Sequence, residues 1–409
     1  MHPIVSALKH HKTTVALVVL EIALTCAIVT NALFVIGDRI AAMHLSTGVD
    51  DNALVWVRSS PHLDLGQGGK STDDVPADLA ALRGLPGVES VATSNALPLA
   101  GDYWSTSIFR RPGDSKTALD NVVEYAGSPG LLKTLGIRLS QGRDFLPQEY
   151  TNYQLDDSGG DRGVPPTVVI ITRALADALW PGQNPLGKTF WLDNAGKQAV
   201  QVVGVAAQLL NPSITPAQGT NRNFILPLSS VAYGIYVLRV RPDLRHAVAQ
   251  AIPGLLRGID PGRMIQVNVY ADTVSSYYHN DRALVWLLLV VIGCLLALTA
   301  LGVVGLSSFW VQQRTRQIGI RRAIGATRRD IVRYFQIENL LIVTLGIVFG
   351  TASAVLLNLW LMKHYELPHM ALAWTGAGAA LLWLLGQLAV LGPALRAANV
   401  PPVVATRSV

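Results

Sequence analysis

Cysteine is nearly absent from this sequence: Cys26 and Cys294 are the two in 409 residues, and each sits inside an apolar run. A disulfide framework or a cysteine-built zinc site is thereby excluded from the polar remainder of the chain. Charge is scarce as well, at 15% of residues against 50% hydrophobic, with a mean hydropathy of +0.35. That balance is unusual for a soluble protein. The nine histidines are scattered, His10 and His11 lie on a basic tail, and no pair stands at i, i+4 on a helix beside an acid. No metal centre is expected from such a pattern. The acid pairs Asp73-Asp74 and Asp156-Asp157 fall in polar, glycine-containing stretches and read as solvated loops. There is no GxSxG nucleophile elbow and no kinase motif set, so no catalytic residue is predicted.

One motif fits a pattern whose chemistry the context excludes. Residues 182–189, GQNPLGKT, match GxxxxGK[ST], which on a P-loop cradles phosphates with glycine amides and the lysine. A P-loop follows a strand and opens a helix, whereas the patterning here puts a helix (173–180) before it and a strand after. Pro185 also removes an amide that such a cradle would use. A helix-to-strand turn is expected.

What the chain does have is four long apolar runs, at 15–36, 283–311, 340–362 and 371–391. The shortest spans about 31 Å as a helix, enough to cross a hydrocarbon core of roughly 30 Å. The second, at about 43 Å, is expected to project beyond the lipid. The first run is too long for a signal-peptide core and no small-x-small site closes it, so it is expected to stay as a span. Glu21 lies within it, where a lone charge costs about 2.5 kcal/mol or more, and is expected to face another helix or be protonated. Asn31 is expected to bond between helices. Gly302, Gly305, Gly346 and Gly350 are placed to let helices approach closely.

Charge sets the orientation. The formal net charge is +6, yet residues 38–282 hold 21 basic and 23 acidic residues, and the excess lies in the flanks and loops of the apolar runs. Lys9 and Lys12 precede the first run, seven arginines separate the second from the third, and Arg396 and Arg407 follow the fourth. Both termini are therefore expected inside, with the large region outside. Basicity here records membrane orientation, and nucleic acid is not an expected partner. The fold class read from these patterns is a polytopic membrane protein with four transmembrane α-helices, both ends cytoplasmic, and a large α+β extracytoplasmic domain between helices 1 and 2. The expected segments are a basic N-terminus (1–14), helix 1 (15–37), the outer domain (38–282), helix 2 (283–311), an inner loop (312–336), helix 3 (337–362), a short outer turn (363–370), helix 4 (371–391) and a tail (392–409).

The arginine-rich stretch between the second and third runs has internal order. Ile320, Ala323 and Ile324 recur at helical spacing, which leaves Arg321 and Arg322 on the opposite face. Gly325 is placed as a helix stop, and Thr327-x-x-Asp330 as a capping box that opens the next helix. In the outer region, strands are expected at 53–58, 168–171, 189–192, 200–205, 236–240 and 264–270, and helices at 76–83, 173–180 and 242–256. A further helix is expected to open with its cap at Ser128 and to close at Gly136. Tyr103, Trp104, Tyr277 and Tyr278 are candidates for an aromatic contact surface, although core and interface roles compete for them.

IGIRRAIGATRRDI, with the apolar run after it, resembles the signature of MacB/FtsX-type ABC transporter permeases, the type VII group, here without a fused ATPase domain. In the outer region, SPGLLKTLGIRLSQGRDF, ITRALADALWPGQNPLGKTFWL and VQVVGVA resemble the MacB-like periplasmic core domain, in the same order. The resemblance implies a porter-like part (38–123 and 228–282) with an inserted subdomain (124–227). It also implies that Gln317, Ile318, Gly319, Ile320, Arg321, Arg322, Ala323, Ile324 and Gly325 form a coupling helix for a separate ABC ATPase dimer. ATP and magnesium would be held by that partner, with no cofactor in this chain. The family usually carries Glu where Gln317 stands, an acid at Pro401 and a leucine-like residue at Thr406, which leans the reading toward a heterodimer with a second permease over a homodimer. A periplasmic adaptor, membrane lipids and the bacterial inner membrane complete the expected surroundings. Mechanotransmission for export or extraction is the first functional expectation. An FtsX-like signalling permease acting on a cell-wall partner is the second, and a non-ABC membrane scaffold or receptor the third.

Overall fold

The computed structural model describes residues 12–60, 74–114, 116–153, 163–214, 221–229, 231, 235–365 and 372–400. Expectations for residues 1–11, Asp73, Asp156-Asp157, the 366–370 part of the outer turn, Pro401, Thr406 and Arg407 lie outside them. The chain divides into two compact units, one of residues 1–44 with 280–409 and one of residues 45–279.

The first unit is helical. It comprises α1 (Lys12–Met43), and later in the chain α7 (His279–Gln313), the short α8 (Thr315–Ala323), α9 (Arg328–Tyr365) and α10 (Leu372–Ala398). Four of these are long and apolar enough to cross a membrane. Each extends past the apolar run that announces it, because polar and arginine-bearing turns continue the helix where hydropathy has already fallen. The first span is the most buried of the four and the second the least. Glycines make the seam between α1 and α9: a Cβ on Gly346 would stand 2.6 Å from Ile22 Cγ2, and one on Gly350 2.5 Å from Cys26 Cβ. Small residues four apart let two helices close to backbone distance, which is how helices gain contact when lipid removes the hydrophobic drive. Gly305 differs from the expectation, since nothing lies within 4 Å of its Cβ position. Polar cross-links join other helix pairs: the Thr25 hydroxyl of α1 lies 3.0 Å from that of Thr299 on α7, and Asn339 Nδ2 of α9 donates to Gly386 O of α10 at 2.8 Å.

The second unit is an α+β fold built on one mixed sheet. Its strands are β1 (Leu54–Ser60), β2 (Val88–Ser94), β3 (Trp104–Ile108), β4 (Leu119–Gly127), β5 (Leu139–Gly142), β6 (Val168–Thr172), β7 (Thr189–Trp191), β8 (Ala199–Ala206), β9 (Asn223–Pro227), β10 (Ile235–Val240) and β11 (Met264–Val269). Its helices are α2 (Asp74–Arg83), α3 (Leu131–Leu135), α4 (Arg173–Leu179), α5 (Arg245–Ile259) and α6 (Tyr270–Tyr277). The sheet runs β11-β1-β10-β2-β4-β9-β6-β8-β5, with β3 on β4 and β7 on β8. Strands from residues 54–94 and 235–269 make one end and strands from 139–206 the other, with β4 and β9 paired in parallel between them. The strand-helix-strand unit β6-α4-β8 is parallel, as a crossover connection requires.

Alternation along the strands covers both faces. Leu54 and Trp56 enter one buried cluster with Val123, Tyr125 and Val237, while Val55 and Val57 enter another with Leu82, Tyr236 and Ile252. On β6, Ile170 joins the first cluster, and Val169 and Ile171 a third with Leu175 and Phe190. A period of two with apolar residues on both faces marks a sheet covered on both sides.

Two expectations are corrected. Ser128 does not cap a helix: α3 begins after Gly130, in the left-handed region at φ 86°, and Ser128 Oγ accepts from Thr93 N at 2.8 Å. The hydroxyl is spent fastening β2 to the α3 turn. Five strands, β2, β3, β4, β5 and β9, were not announced by the patterning. Trp104–Ile108 is mostly polar, and Asn223–Pro227 is a five-residue run closed by proline, so neither shows a clean period of two.

Candidate functional site

The site is the short helix α8 and the two junctions that hold it. Helix α7 stops at Gln313, Arg314 takes a non-helical conformation (φ −104°, ψ 11°), and α8 starts at Thr315. The Thr315 hydroxyl donates back to the carbonyls of Val311 and Gln312, each at 2.9 Å, and closes the end of α7. At the far end Gly325 adopts φ 107°. Ala326 N then donates to Arg321 O at 3.0 Å and Gly325 N to Arg322 O at 3.2 Å, the paired bonds of a Schellman stop. Thr327 N donates to Asp330 Oδ2 at 2.9 Å and Asp330 N to Thr327 Oγ1 at 3.3 Å, a reciprocal box at the start of α9. Stop and start thus lie within a few residues of each other.

The apolar face of α8 is left uncovered. Ile320, Ala323 and Ile324 are exposed, Ile324 at 81%. On the opposite face Arg321 stays exposed with its guanidinium 5.0 Å from the Tyr334 ring centroid, and the half-buried Arg322 donates from Nη1 to Val400 O at 2.7 Å. Only Ile318 and Gly319 of the helix are buried, Ile318 within the core cluster of the helical unit. Gln317 is exposed, as are Arg316 on the same helix and Arg328 and Arg329 at the start of α9. An apolar cluster left bare on a helix and rimmed by polar residues marks an interaction surface.

A residue pair that local sequence patterns do not reveal joins the start of this helix to α9. Arg314 Nη1 is 3.0 and 2.9 Å from the two carboxylate oxygens of Glu338 on α9, whose side chain is 1% exposed. The same guanidinium lies over Trp310 at 5.6 Å. The available signal was an acid at the inner end of the third apolar run, which requires a positive partner if it is buried.

The other candidate residues are placed as follows. Glu21 faces Gly302 of α7, where an added Cβ would stand 2.8 Å from Glu21 Oε2. Asn31 Nδ2 donates to Ala27 O at 2.9 Å, within its own helix instead of across to another. The one-turn spacing satisfies the amide locally. Tyr103 packs on one core cluster and Trp104 on another, while Tyr277 and Tyr278 meet edge to face at 5.2 Å with Tyr278 buried. The four do not form one surface.

In the GQNPLGKT turn, a helix precedes and a strand follows. Four of its amides are bonded within the protein: Gln183 N donates to Trp180 O, Leu186 N to Asn184 Oδ1, Gly187 N to Val202 O, and Lys188 N to Pro185 O. Lys188 Nζ lies over the Trp180 ring at 5.2 Å. Among the described residues no group of three His, Cys, Asp or Glu could hold a metal ion. One cavity in the outer unit is open and polar, about 690 Å³, with Arg138, Gln208 and the Arg239–Asp50 ion pair (3.0 Å) in its wall. Nearby, burial pushes the Asp51 carboxyl up from its ordinary value, against the pull of a Thr47 hydroxyl at 2.5 Å.

Residues 289–402 match the family model described as FtsX-like permease C-terminal, and residues 14–255 that of the MacB-like periplasmic core domain. The chain is 24% identical to the pyoverdine export ATP-binding/permease protein PvdT of Pseudomonas aeruginosa, over 85% of this chain and 49% of that protein. It is 27% identical to the macrolide export ATP-binding/permease protein MacB of Aggregatibacter actinomycetemcomitans, over 53% of this chain and 32% of that one. It thus spans half or less of the length of these curated relatives. Among solved structures it is similar to the periplasmic region of MacB from Actinobacillus actinomycetemcomitans, with a TM-score of 0.36 at 17% identity over 57% of this chain and 95% of that one.

Proposed function

The chain belongs to the family of ABC transporter permeases that join an FtsX-like C-terminal part to a MacB-like periplasmic core domain, and on that premise we propose that it is a membrane subunit worked by a separate ATPase. In this reading the exposed face of α8 is the coupling surface. An ATPase dimer that holds ATP and magnesium seats Ile320, Ala323 and Ile324 in an apolar groove. Two permease subunits pair in the bacterial inner membrane, this chain with a sister permease or with a second copy. Nucleotide-driven closure moves the membrane helices and, through them, the periplasmic unit, for export or extraction of a substrate. Chain continuity supports the last step, since a single residue, Tyr278, separates α6 of the outer unit from α7.

The observation that carries the reading is the bare apolar face of α8 at Ile320, Ala323 and Ile324. A helix that engages Arg321 and Arg322 with its own protein while Ile320 and Ile324 stay bare is built for an apolar partner. A scaffold with a simple topology signal would have no need of that arrangement.

The test is Ile320→Asp with Ile324→Asp in the full chain, co-purified with its ATPase in nanodiscs. Loss of the ATPase with unchanged thermal stability of the permease is expected. ATPase retained at wild-type stoichiometry would sink the reading. Arg321 and Arg322 are poorer targets, because changing them also removes the contacts with Tyr334 and Val400. Export and signalling separate on substrate-stimulated ATPase activity, which pure signalling does not produce.

A further inference from the structure

Helix α8 has little to hold it. Two of its residues are buried, a break at Arg314 precedes it and a left-handed glycine follows it. A helix so flanked would swivel, and a load applied to its outer face would be spent on that swivel. Three side chains oppose this. Arg322 fastens the helix to Val400, just past the end of α10, and Arg321 stacks on Tyr334 of α9. Arg314 sits where three elements meet: the end of α7 through Trp310, the start of α8 through its own backbone, and α9 through both oxygens of the buried Glu338.

Stability alone does not explain a buried charge pair at this place. An apolar pair of similar volume usually holds helices as well or better, since it avoids the desolvation of two ions. What the pair adds is a single geometry. Apolar contacts slide, whereas a planar guanidinium on a carboxylate defines distance and angle together.

We propose that Arg314 and Glu338 are positioning residues that lock the angle of α8 against α7 and α9, so that a load on Ile320 and Ile324 turns the membrane helices instead of bending the loop. The inference rests on the docking reading above only for the identity of what applies the load.

The experiment measures the distance distribution between spin labels at the exposed positions Arg316 and Arg329, in the full chain in nanodiscs with Cys26→Ala and Cys294→Ser. The wild-type pair is expected to give a narrow distribution. Glu338→Gln and Arg314→Met broaden it about twofold, because the orienting partner is gone. The double variant Arg314→Met/Glu338→Leu leaves no unpaired buried charge, so it keeps the fold, and its distribution stays broad. With the ATPase added, the variants retain binding within about threefold while the nucleotide-driven shift in distance is lost. A distribution as narrow as wild type in the double variant would overturn the proposal, since packing alone would then set the angle. So would an unchanged nucleotide-driven shift. Failure of the docking reading looks different: Ile324→Asp would keep the ATPase while the label distances behave as stated.

Discussion

Arg263 donates to Asp78 across 2.6 Å with both side chains within 1% of full burial, and the Tyr236 hydroxyl donates to the same carboxylate oxygen. Arg263 immediately precedes β11, Asp78 is on α2 and Tyr236 on β10, so one carboxylate gathers three elements. Removing one partner strands a charge. Asp78→Ala is expected to cost about 3–5 kcal/mol of outer-unit stability, and Asp78→Ala/Arg263→Met much less, because the double change leaves no unpaired ion. Thermal unfolding followed by near-ultraviolet circular dichroism checks the order of the two.

The Asp51 carboxyl gives a pH dependence with a definite sign. Its folded pKa is raised, chiefly by burial, so between the unfolded and folded values the native state binds the extra proton. Stability therefore falls as pH rises through that window, and is regained on acidification. Asp51→Asn is expected to flatten this component of the melting-temperature profile. A profile with the same slope in both proteins would contradict it.

The glycine seam predicts a contrast between neighbours. Gly346→Leu or Gly350→Leu forces a side chain into Ile22 or Cys26 and parts α1 from α9, a cost of about 1–3 kcal/mol or more. Gly305→Ala meets nothing and is expected to stay within about 0.5 kcal/mol. Detergent-melting curves of the three variants give the comparison directly.

At the end of α8, Gly325→Ala places a Cβ at φ 107°, strained by about 1–3 kcal/mol. Thr327→Ala removes the hydroxyl that caps α9, at about 1 kcal/mol. Both act on the stop and start around α8, so each is expected to weaken ATPase co-purification more than it lowers the melting temperature of the whole chain. Equal or smaller loss of binding would count against the local mechanism.

Lys188→Met tests the P-loop look-alike. The lysine lies over Trp180 and the neighbouring amides are already bonded, so nucleotide binding to the full chain is expected to be unmeasurable before and after the change. The stability loss is that of an exposed cation–π contact, about 0.5–1 kcal/mol.

Much of the site was legible because its signals are local. The Gly325 stop and the Thr327–Asp330 box depend on residues within a few positions of each other, and capping chemistry is written in that window. The amphipathic spacing of Ile320, Ala323 and Ile324 was legible too, but not the direction in which that face points. Direction depends on what packs against the other face, and Tyr334 and Val400 are chosen by the fold. Asn31 shows the converse, a polar residue expected to reach across helices that bonds one turn back in its own.

On its own, the sequence determined four apolar rods, the charge bias at their ends and the order of rods and outer domain, because hydrophobic length and charge distribution are additive along a chain. Tertiary structure decided the rest. Leu54 opposite Arg239, β4 beside β9 and Arg314 on Glu338 are pairings between segments whose local patterns carry no address for one another. Register and ion pairing are properties of two surfaces brought together, and only the folded chain brings them together.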